Sequence, residues 1–545
     1  MKLQPCRCLD TLSFQEVILL KRRAYLGFVL LLLVISVITF AGSKDMSYEI
    51  VDRDGSKEVT VSTGLANYVF SESGGVLKSI YLSFAPYGSK VAELVPGTTT
   101  DTKTLARKYV SNTLFPFTTT GEDGLEFTYT LVGVEQPAPD RLTVEFRGSA
   151  GDLTIDKTFI LYNDPYYTID VAMKVVNSSD EPTQIEMTVG DYTPIEKGRS
   201  LVYQFDNAAG SDLLAKGSYT TFNGVGLMDK KTVFFLKVND TSGIDPFLQR
   251  AESGNRRFGV MLAASPGEVS YAFSMYGGRR QYLLMNHSGL GTLDNPGTAA
   301  RLIIPVTQFL NLLYRYTGNY GWAILLFTLI TRIILFPLMR KQYHSMAKMQ
   351  KLQPRLKKIQ ERFKDDKQLM QQKLMEMYKK EGVNPMGGCL PMFVQLPILV
   401  LLWKAILYSA TQIHFSPGFL WVSDLSVRDP YFILVILTTA VMILQQKMMT
   451  PMTTGDAQGS QKYMGYVMPI FMAVFLYNFP AGLWFYYLLT TVFQVGQQYF
   501  VNWEMAKADA ASAALAPVAE DDEYPAESEA IEVEADDDDS SGEGK

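Results

Sequence analysis

The sequence predicts a polytopic α-helical membrane protein with six spans, five forming a core bundle, plus a large all-β exported domain and a cytoplasmic helical hairpin. Three observations predict it. Apolar residues make up 47% of the 545-residue chain, and they concentrate before Ala41 and after Leu302. The stretch between these regions alternates apolar with polar residues, the period of half-buried strands. A basic block at 340–380 and an acidic tail from Glu520 to Glu543 average to a net charge of -6, which hides two opposed regions.

Residues 1–23 end in Lys21-Arg22-Arg23, followed by the apolar run of segment 24–42. Basic residues ahead of an apolar run keep the N-terminus in the cytoplasm and send the following segment outside. Thr39 and Ala41 are small enough for a signal-peptide cut, whereas the length of the run favours an uncleaved anchor. Both readings export residues 43–301. Cys6, Cys8 and Cys389 supply no disulfide framework, and Cys6-x-Cys8 has no second pair to complete a metal site.

Residues 43–301 read as one large β-sandwich. Leu142 to Phe146, Leu153 to Tyr162 and Tyr167 to Val176 are rich in β-branched and aromatic residues. Glu72-Ser73-Gly74-Gly75, Asn163-Asp164-Pro165 and Asn177-Ser178-Ser179-Asp180 mark turns between such runs. Its single histidine, His287, has no nucleophile motif or metal-ligand cluster beside it, so the domain is read as a non-catalytic binding or scaffolding module. Segment 302–318 carries Phe309, Leu312, Leu313 and Tyr316 at helical spacing, which predicts an amphipathic helix lying along the outer interface.

The core, residues 319–503, holds five apolar runs near 320–338, 389–407, 430–447, 464–479 and 481–500, two of them interrupted by Pro397 and Pro469. The basic excess of 340–385 places that loop in the cytoplasm. Within it, Met346, Met349, Leu352, Leu356, Ile359 and Phe363, then Met370, Leu374 and Met377, recur every three or four residues. This spacing predicts an antiparallel hairpin with a coiled-coil-like seam, kinked or restarted at Pro354. Seam packing explains the methionines; an adaptable surface for varied apolar clients is the sharper alternative. Residues 504–545 read as a disordered acidic cytoplasmic tail.

Arg332 lies well inside the run Tyr320–Leu338. An arginine at the centre of a membrane helix costs about 2.5–3.5 kcal/mol on insertion scales, so it usually faces a bundle interior or a wet cavity. Snorkelling is the alternative, toward an interface marked by Arg340 and Lys341. Thr328 sits one turn before Arg332, Gln395 interrupts the next run, and Tyr487, Thr491, Gln494 and Gln498 form one stripe on the last. Together they predict a hydrated groove shared by several spans. Lys404, near an outer end, is read as snorkelling. The five later runs contain no acid, which disfavours the rival reading of an ion-coupled transporter or channel with an exported sensor domain. No nucleotide-binding motif or cofactor site is present in the sequence.

The stretches TRIILFPL, QYHSMAKMQKLQPRLKKIQERFKDDKQ, YKKEGVNPMGGCLPMFVQLPI, WVSDLSVRDPYFILVIL, QQKMMTP and FPAGLWFYYLLTTVFQVGQQ resemble the YidC/Oxa/Alb family of membrane protein insertases, in its Gram-negative form. The resemblance is close over Leu302–Val501 and looser across the whole layout. It implies a groove open to cytoplasm and lipid but closed outside, with Arg332 as the family's groove arginine. Thr328 and Gln395 take the polar groove positions, and Tyr486 and Tyr487 the paired tyrosines. It further implies a β-supersandwich without catalysis, and a hairpin that receives substrates, with Lys348, Lys351, Arg355, Lys357 and Lys358 as the expected contacts. Phe471, Phe475 and Phe485 are expected to form the apolar surface for lateral exit. Implied partners are nascent membrane proteins, the Sec translocon (SecYEG and SecDF), phospholipids and the ribosome, for a monomeric inner-membrane protein; the loop charges, Lys21-Arg22-Arg23 at one end and Lys447 and Lys462 toward the other, place both termini in the cytoplasm. The acidic tail departs from the family's basic one and would repel RNA, which leaves the hairpin as the ribosome contact.

Overall fold

Strand alternation in the first half produces three antiparallel sheets. The computed structural model describes residues 45–53, 55–87, 89–95, 115–192, 200–205, 208–210, 221–240, 243–250, 256–382, 390–449 and 459–515. The N-terminal apolar run and the tail beyond 515 lie outside the described residues. A five-stranded meander covers Ser47–Arg53 through Ala92–Val95, its strands paired in chain order. The nine-stranded sheet starts at Thr128–Ala138 and proceeds through Arg141–Ala150, Leu153–Tyr162 and Thr168–Asn177. It then takes in Gly267–Arg279, Thr232–Val238, Phe222–Met228, Ser200–Phe205 and Ala208–Gly210. Four strands, including Thr183–Tyr192 and Arg256–Ala264, make the third sheet. One apolar core joins them, from Val59 through Phe159 to Met275. These are the strands expected at Leu142–Phe146, Leu153–Tyr162 and Tyr167–Val176, with turns at the expected clusters.

Period 2 has one consequence that the residue types conceal. Leu153, Ile155, Lys157, Phe159 and Leu161 share the inward face of their strand, so a lysine enters the core. Lys157 is 0% exposed. Its Nζ donates to the carbonyls of Gly74 (3.1 Å), Gly75 (3.2 Å) and Phe117 (2.6 Å), and it lies 4.0 Å from the centroid of the Tyr129 ring. Burial pushes its ammonium well below the ordinary lysine value. Gly148 makes room for that ring: a Cβ there would lie 2.4 Å from Tyr129.

The second half is helical: α1 (Tyr282–His287), α2 (Thr298–Thr317), α3 (Tyr320–Arg362), α4 (Lys367–Lys380), α5 (Leu390–Tyr408), α6 (Ala410–Phe415), α7 (Ile433–Met449), α8 (Gly459–Leu476) and α9 (Ala481–Leu515). Helices thus stand where apolar runs were expected. Among the described residues one helix, Tyr320–Met349, is long and apolar enough to cross a membrane; Val394–Tyr408, Ile433–Gln446 and Val467–Leu476 are shorter apolar stretches. Gly318 ends α2 in the left-handed conformation (φ 66°), and Asn319 caps α3 by accepting from Gly321 N at 2.7 Å. Leu310 and Leu313 of α2 join Tyr320 and Ile324 of α3, Leu402 and Ile406 of α5 and Trp484 to Leu489 of α9 in one core.

Helix α2 buries Ile303, Thr307, Leu310 and Leu313 against the bundle and leaves Leu312 and Tyr316 of the expected interfacial face exposed. Three expectations need correction. Pro354 does not restart the helix: α3 runs unbroken through Pro337 and Pro354, and Leu352 and Leu356, on either side of Pro354, pack on Leu374, Met377 and Tyr378 of α4. The tail does not begin at 504, because α9 continues to Leu515 through the alanine-rich AKADAASAAL, whose residues favour helix. Phe485 is 2% exposed and packs on Phe419 with ring centroids 5.0 Å apart, so it belongs to the core and not to an exit surface.

The β domain meets the helices at a defined junction. His414 on α6 pairs through Nδ1 with Asp424 (2.6 Å) and through Nε2 with the Gly64 carbonyl (3.0 Å). Its ring lies against Phe84, and Tyr87 packs on Phe479. Gln281 Nε2 donates to the Tyr408 carbonyl.

Candidate functional site

Three helices build a polar site inside the apolar bundle. Helix α3 brings Arg332, α5 brings Gln395 and α9 brings Tyr486. Arg332 is 4% exposed. Among the described residues its guanidinium makes one side-chain hydrogen bond, from Nη2 to Gln395 Oε1 at 2.7 Å. Gln395 Nε2 in turn donates to Tyr486 Oη at 2.8 Å. The titratable groups acting on the guanidinium are Tyr486, Tyr343 and Tyr487, all phenols. The arrangement buries a cation opposite neutral dipoles, and no carboxylate among the described residues pairs with it.

Gln395 is suited to that position because its amide accepts at one end and donates at the other. The arginine polarises the amide, and the phenol takes up the donor. Phe327, one turn and a half before Arg332, packs edge-on against Tyr486 with centroids 6.3 Å apart, which fixes the tyrosine. Tyr343 Oη and Gln498 Oε1 are buried without a hydrogen-bond partner among the described residues.

The remaining expected groove residues are arranged differently from one another. Thr328 is fully buried and its hydroxyl donates to the Ile324 carbonyl at 2.7 Å, within its own helix. Thr491 does the same to Tyr487 O at 2.8 Å. Gln494 Oε1 accepts from Gln445 Nε2 of α7 at 3.3 Å, an interhelical contact outside the arginine cluster. The structure thus brings together Arg332, Gln395 and Tyr486 with Tyr487 nearby, and does not bring the two threonine hydroxyls into that group. Sequence reasoning passed over Tyr343 and Gln445. Tyr343 lies eleven residues, or about three helical turns, after Arg332 and so shares its face; Gln445-Gln446 ends an otherwise apolar run.

On the outside of the bundle, Phe471 and Phe475 of α8 are 52% and 73% exposed and stack on each other with centroids 5.1 Å apart. In the hairpin, Lys348, Lys351, Arg355 and Lys358 are exposed. Arg355 reaches Glu381 at 3.1 Å, and Lys357 reaches Glu361 at 3.7 Å one turn along the helix. Arg340 and His344 both approach Glu504, which ties the foot of the hairpin to α9.

The profile of a family described as 60Kd inner membrane protein matches residues 312–508, the segment that contains this site. The membrane protein insertase YidC of Syntrophus aciditrophicus (strain SB) is 30% identical over 479 residues, covering 82% of this chain and 85% of that protein. The protein of the same name from Shewanella baltica (strain OS155) is 34% identical, over 65% of this chain and 69% of its own. A crystal structure described as an active YidC insertase with the first transmembrane domain resolved superposes with a TM-score of 0.53 at 22% identity, covering 88% of this chain and 99% of that one.

Proposed function

The chain belongs to the YidC family of membrane protein insertases, multi-pass proteins of the inner membrane, and on that premise we propose that it receives nascent membrane proteins in a polar groove around Arg332 and releases them laterally into the bilayer. It does so alone or with the Sec translocon. The observation that carries the proposal is the burial of Arg332 with a neutral amide as its hydrogen-bond partner. A purely structural arginine at this depth would be expected to hold a carboxylate, since buried charges are normally paired. This one keeps donors and charge for a visitor.

In this reading the basic hairpin and α9's end are cytoplasmic, the β domain is periplasmic, and α3, α5, α7, α8 and α9 cross the membrane with the N-terminal anchor as a sixth span. A short polar segment of a client enters from the cytoplasm, where Arg332, Gln395 and the tyrosines replace its water shell. An acidic segment gains most. The client's apolar span then passes over the exposed Phe471 and Phe475 into lipid. The driving force is apolar transfer, with the membrane potential adding about 2.3 kcal/mol per charge per 100 mV for charged segments. The exposed Lys348, Lys351, Arg355 and Lys358 receive the client or the ribosome.

The test is complementation of a depletion strain. Arg332→Ala is expected to weaken insertion of clients whose translocated segment is acidic, while Arg332→Lys retains much of it. Unaltered insertion by Arg332→Ala refutes the groove-charge mechanism.

A further inference from the structure

A second feature lies at the opposite end of the bundle from the hairpin, where the β domain, α2 and α6 meet. A cavity of about 490 Å³ opens there. Its polar wall is made by Gln308, Asn311 and Arg315 of α2 with Gln412 of α6, and Tyr166 and His287 line it from the side of the β domain. Asn311 Oδ1 accepts from Ser409 Oγ at 2.9 Å, and Tyr320 Oη shares its one proton between Asn311 Oδ1 (2.9 Å) and Gln412 Oε1 (3.0 Å), so both amide oxygens are engaged within the protein and the NH2 groups, which are donors, are left for a ligand. Arg315 is exposed and has no ion-pair partner among the described residues. Among the described residues no carboxylate lines the cavity. Its donors and its cation therefore suit an anion.

The surroundings narrow the class of anion. Leu302, Leu312 and Tyr316 are exposed, Phe309 is half-buried, and at spacings of seven, three and four residues they form one apolar stripe along α2. Leu312 and Phe309 also line the cavity, so the stripe runs into it. Arg315 stands five residues before Tyr320, where the long apolar helix α3 begins. A free metabolite has no use for an apolar stripe, and a peptide would find few backbone partners here. A headgroup phosphate in the cavity with acyl chains along the stripe satisfies both features at the depth where phosphates lie. The cavity itself has room for a headgroup and not for chains.

We propose that this cavity binds the headgroup phosphate of an anionic glycerophospholipid of the outer leaflet, held by Arg315 and Asn311, with its acyl chains laid along Leu302, Phe309, Leu312 and Tyr316. The bound lipid would cement the β domain to the helical bundle. This goes beyond insertion, because binding is read without any client and stands or falls apart from the role of Arg332.

The experiment uses the full chain in detergent, with dioleoylphosphatidylglycerol as probe and native mass spectrometry as readout. The wild-type protein is expected to retain one lipid more tightly than the rest. Arg315→Gln should weaken that step about tenfold, the scale of losing a charge-assisted hydrogen bond. Arg301→Gln, another exposed cation on α2 outside the cavity, should change it less than twofold. Dioleoylglycerol, which lacks the phosphate, should not be retained, and inorganic phosphate should compete only weakly. Equal retention by Arg315→Gln overturns the proposal, as does equal weakening by Arg301→Gln, which would mean diffuse attraction. Retention of dioleoylglycerol would reduce the site to an apolar groove, and tight binding of inorganic phosphate would make it a site for the free anion.

Discussion

Replacing Gln395 by glutamate tests whether the charge of Arg332 does the work, because it changes charge without changing shape. The amide oxygen already sits 2.7 Å from Arg332 Nη2, so a carboxylate there makes an ion pair with no rearrangement. Tyr486, which now accepts from Gln395, can turn its hydroxyl to donate to the new oxygen, so the packing of the three helices is kept. Two unit charges 4 Å apart attract by about 4 kcal/mol at an effective dielectric constant of 20. A client carboxylate reaching the free guanidinium gains about 1.5–3 kcal/mol, the range for hydrogen bonds to charged groups. In the variant the internal carboxylate already occupies the arginine, and a client acid would also meet a like charge. Insertion of clients with acidic translocated segments should therefore fall about tenfold or more, at the lower end of that range. Clients with neutral segments should change less than twofold. Pulse-labelled clients of both kinds, scored by protease accessibility in a depletion strain, give the comparison. Wild-type insertion of acidic clients by Gln395→Glu, alongside failure by Arg332→Ala, would show that the arginine acts by packing and not by charge.

Two further predictions concern the β domain. Asp164 sits in the turn before Tyr166, its Oδ1 accepting from the Tyr166 amide at 2.9 Å, and burial pushes its carboxyl up to about 6, with Asp140 and Asp170 adding repulsion. A raised folded-state value means that this group's contribution is fully present below about pH 4 and is lost as pH rises through 6. Asp164→Asn keeps the acceptor and should raise thermal stability above pH 7, by about 1–2 kcal/mol after solvent screening, and change nothing at pH 4; equal melting temperatures at both pH values would refute it. Lys157→Met leaves three buried carbonyls without their donor, at about 1–3 kcal/mol each, partly offset because burying an ammonium is itself costly. A net loss of about 3 kcal/mol is expected in thermal denaturation of the full chain, and an unchanged melting temperature would refute the anchoring role.

Legibility of the fold followed the physics of each element. The strands Leu153–Tyr162 and Thr168–Asn177 were readable because alternate burial leaves a direct trace in residue type. Lys157 shows where the trace was present and went unread: it occupies an inward position in an otherwise apolar alternation, and only an acceptor set from distant turns makes that position tenable. Helix α2 has two apolar faces, and the sequence does not distinguish the one covered by α3 and α5 from the one left open. Proline chemistry at Pro354 points to a kink or a restart and the acidic composition of 504–545 to a tail, yet helix packing carries α3 through Pro354 and the alanine content of 506–515 extends α9.

The candidate site separates hydroxyls from amides. A threonine in a membrane helix can satisfy itself on the carbonyl four residues back, as Thr328 and Thr491 do, so its position on a polar stripe says little about a groove. A glutamine cannot satisfy donor and acceptor within its own turn as readily, and Gln395 and Gln445 accordingly reach other helices. Polarity between these helices is therefore concentrated where Arg332, Gln395 and Tyr486 meet, and diluted along the stripe from Tyr487 to Gln498. That concentration has an energetic consequence. The hydrogen bond from the charged guanidinium to the neutral amide of Gln395 recovers about 1.5–3 kcal/mol, comparable to the cost of placing an arginine at mid-membrane on insertion scales, and it leaves other guanidinium donors unspent. On the proposed reading the site is tolerable when empty and improves when an acid enters, which is the energetic order that a receiving groove requires.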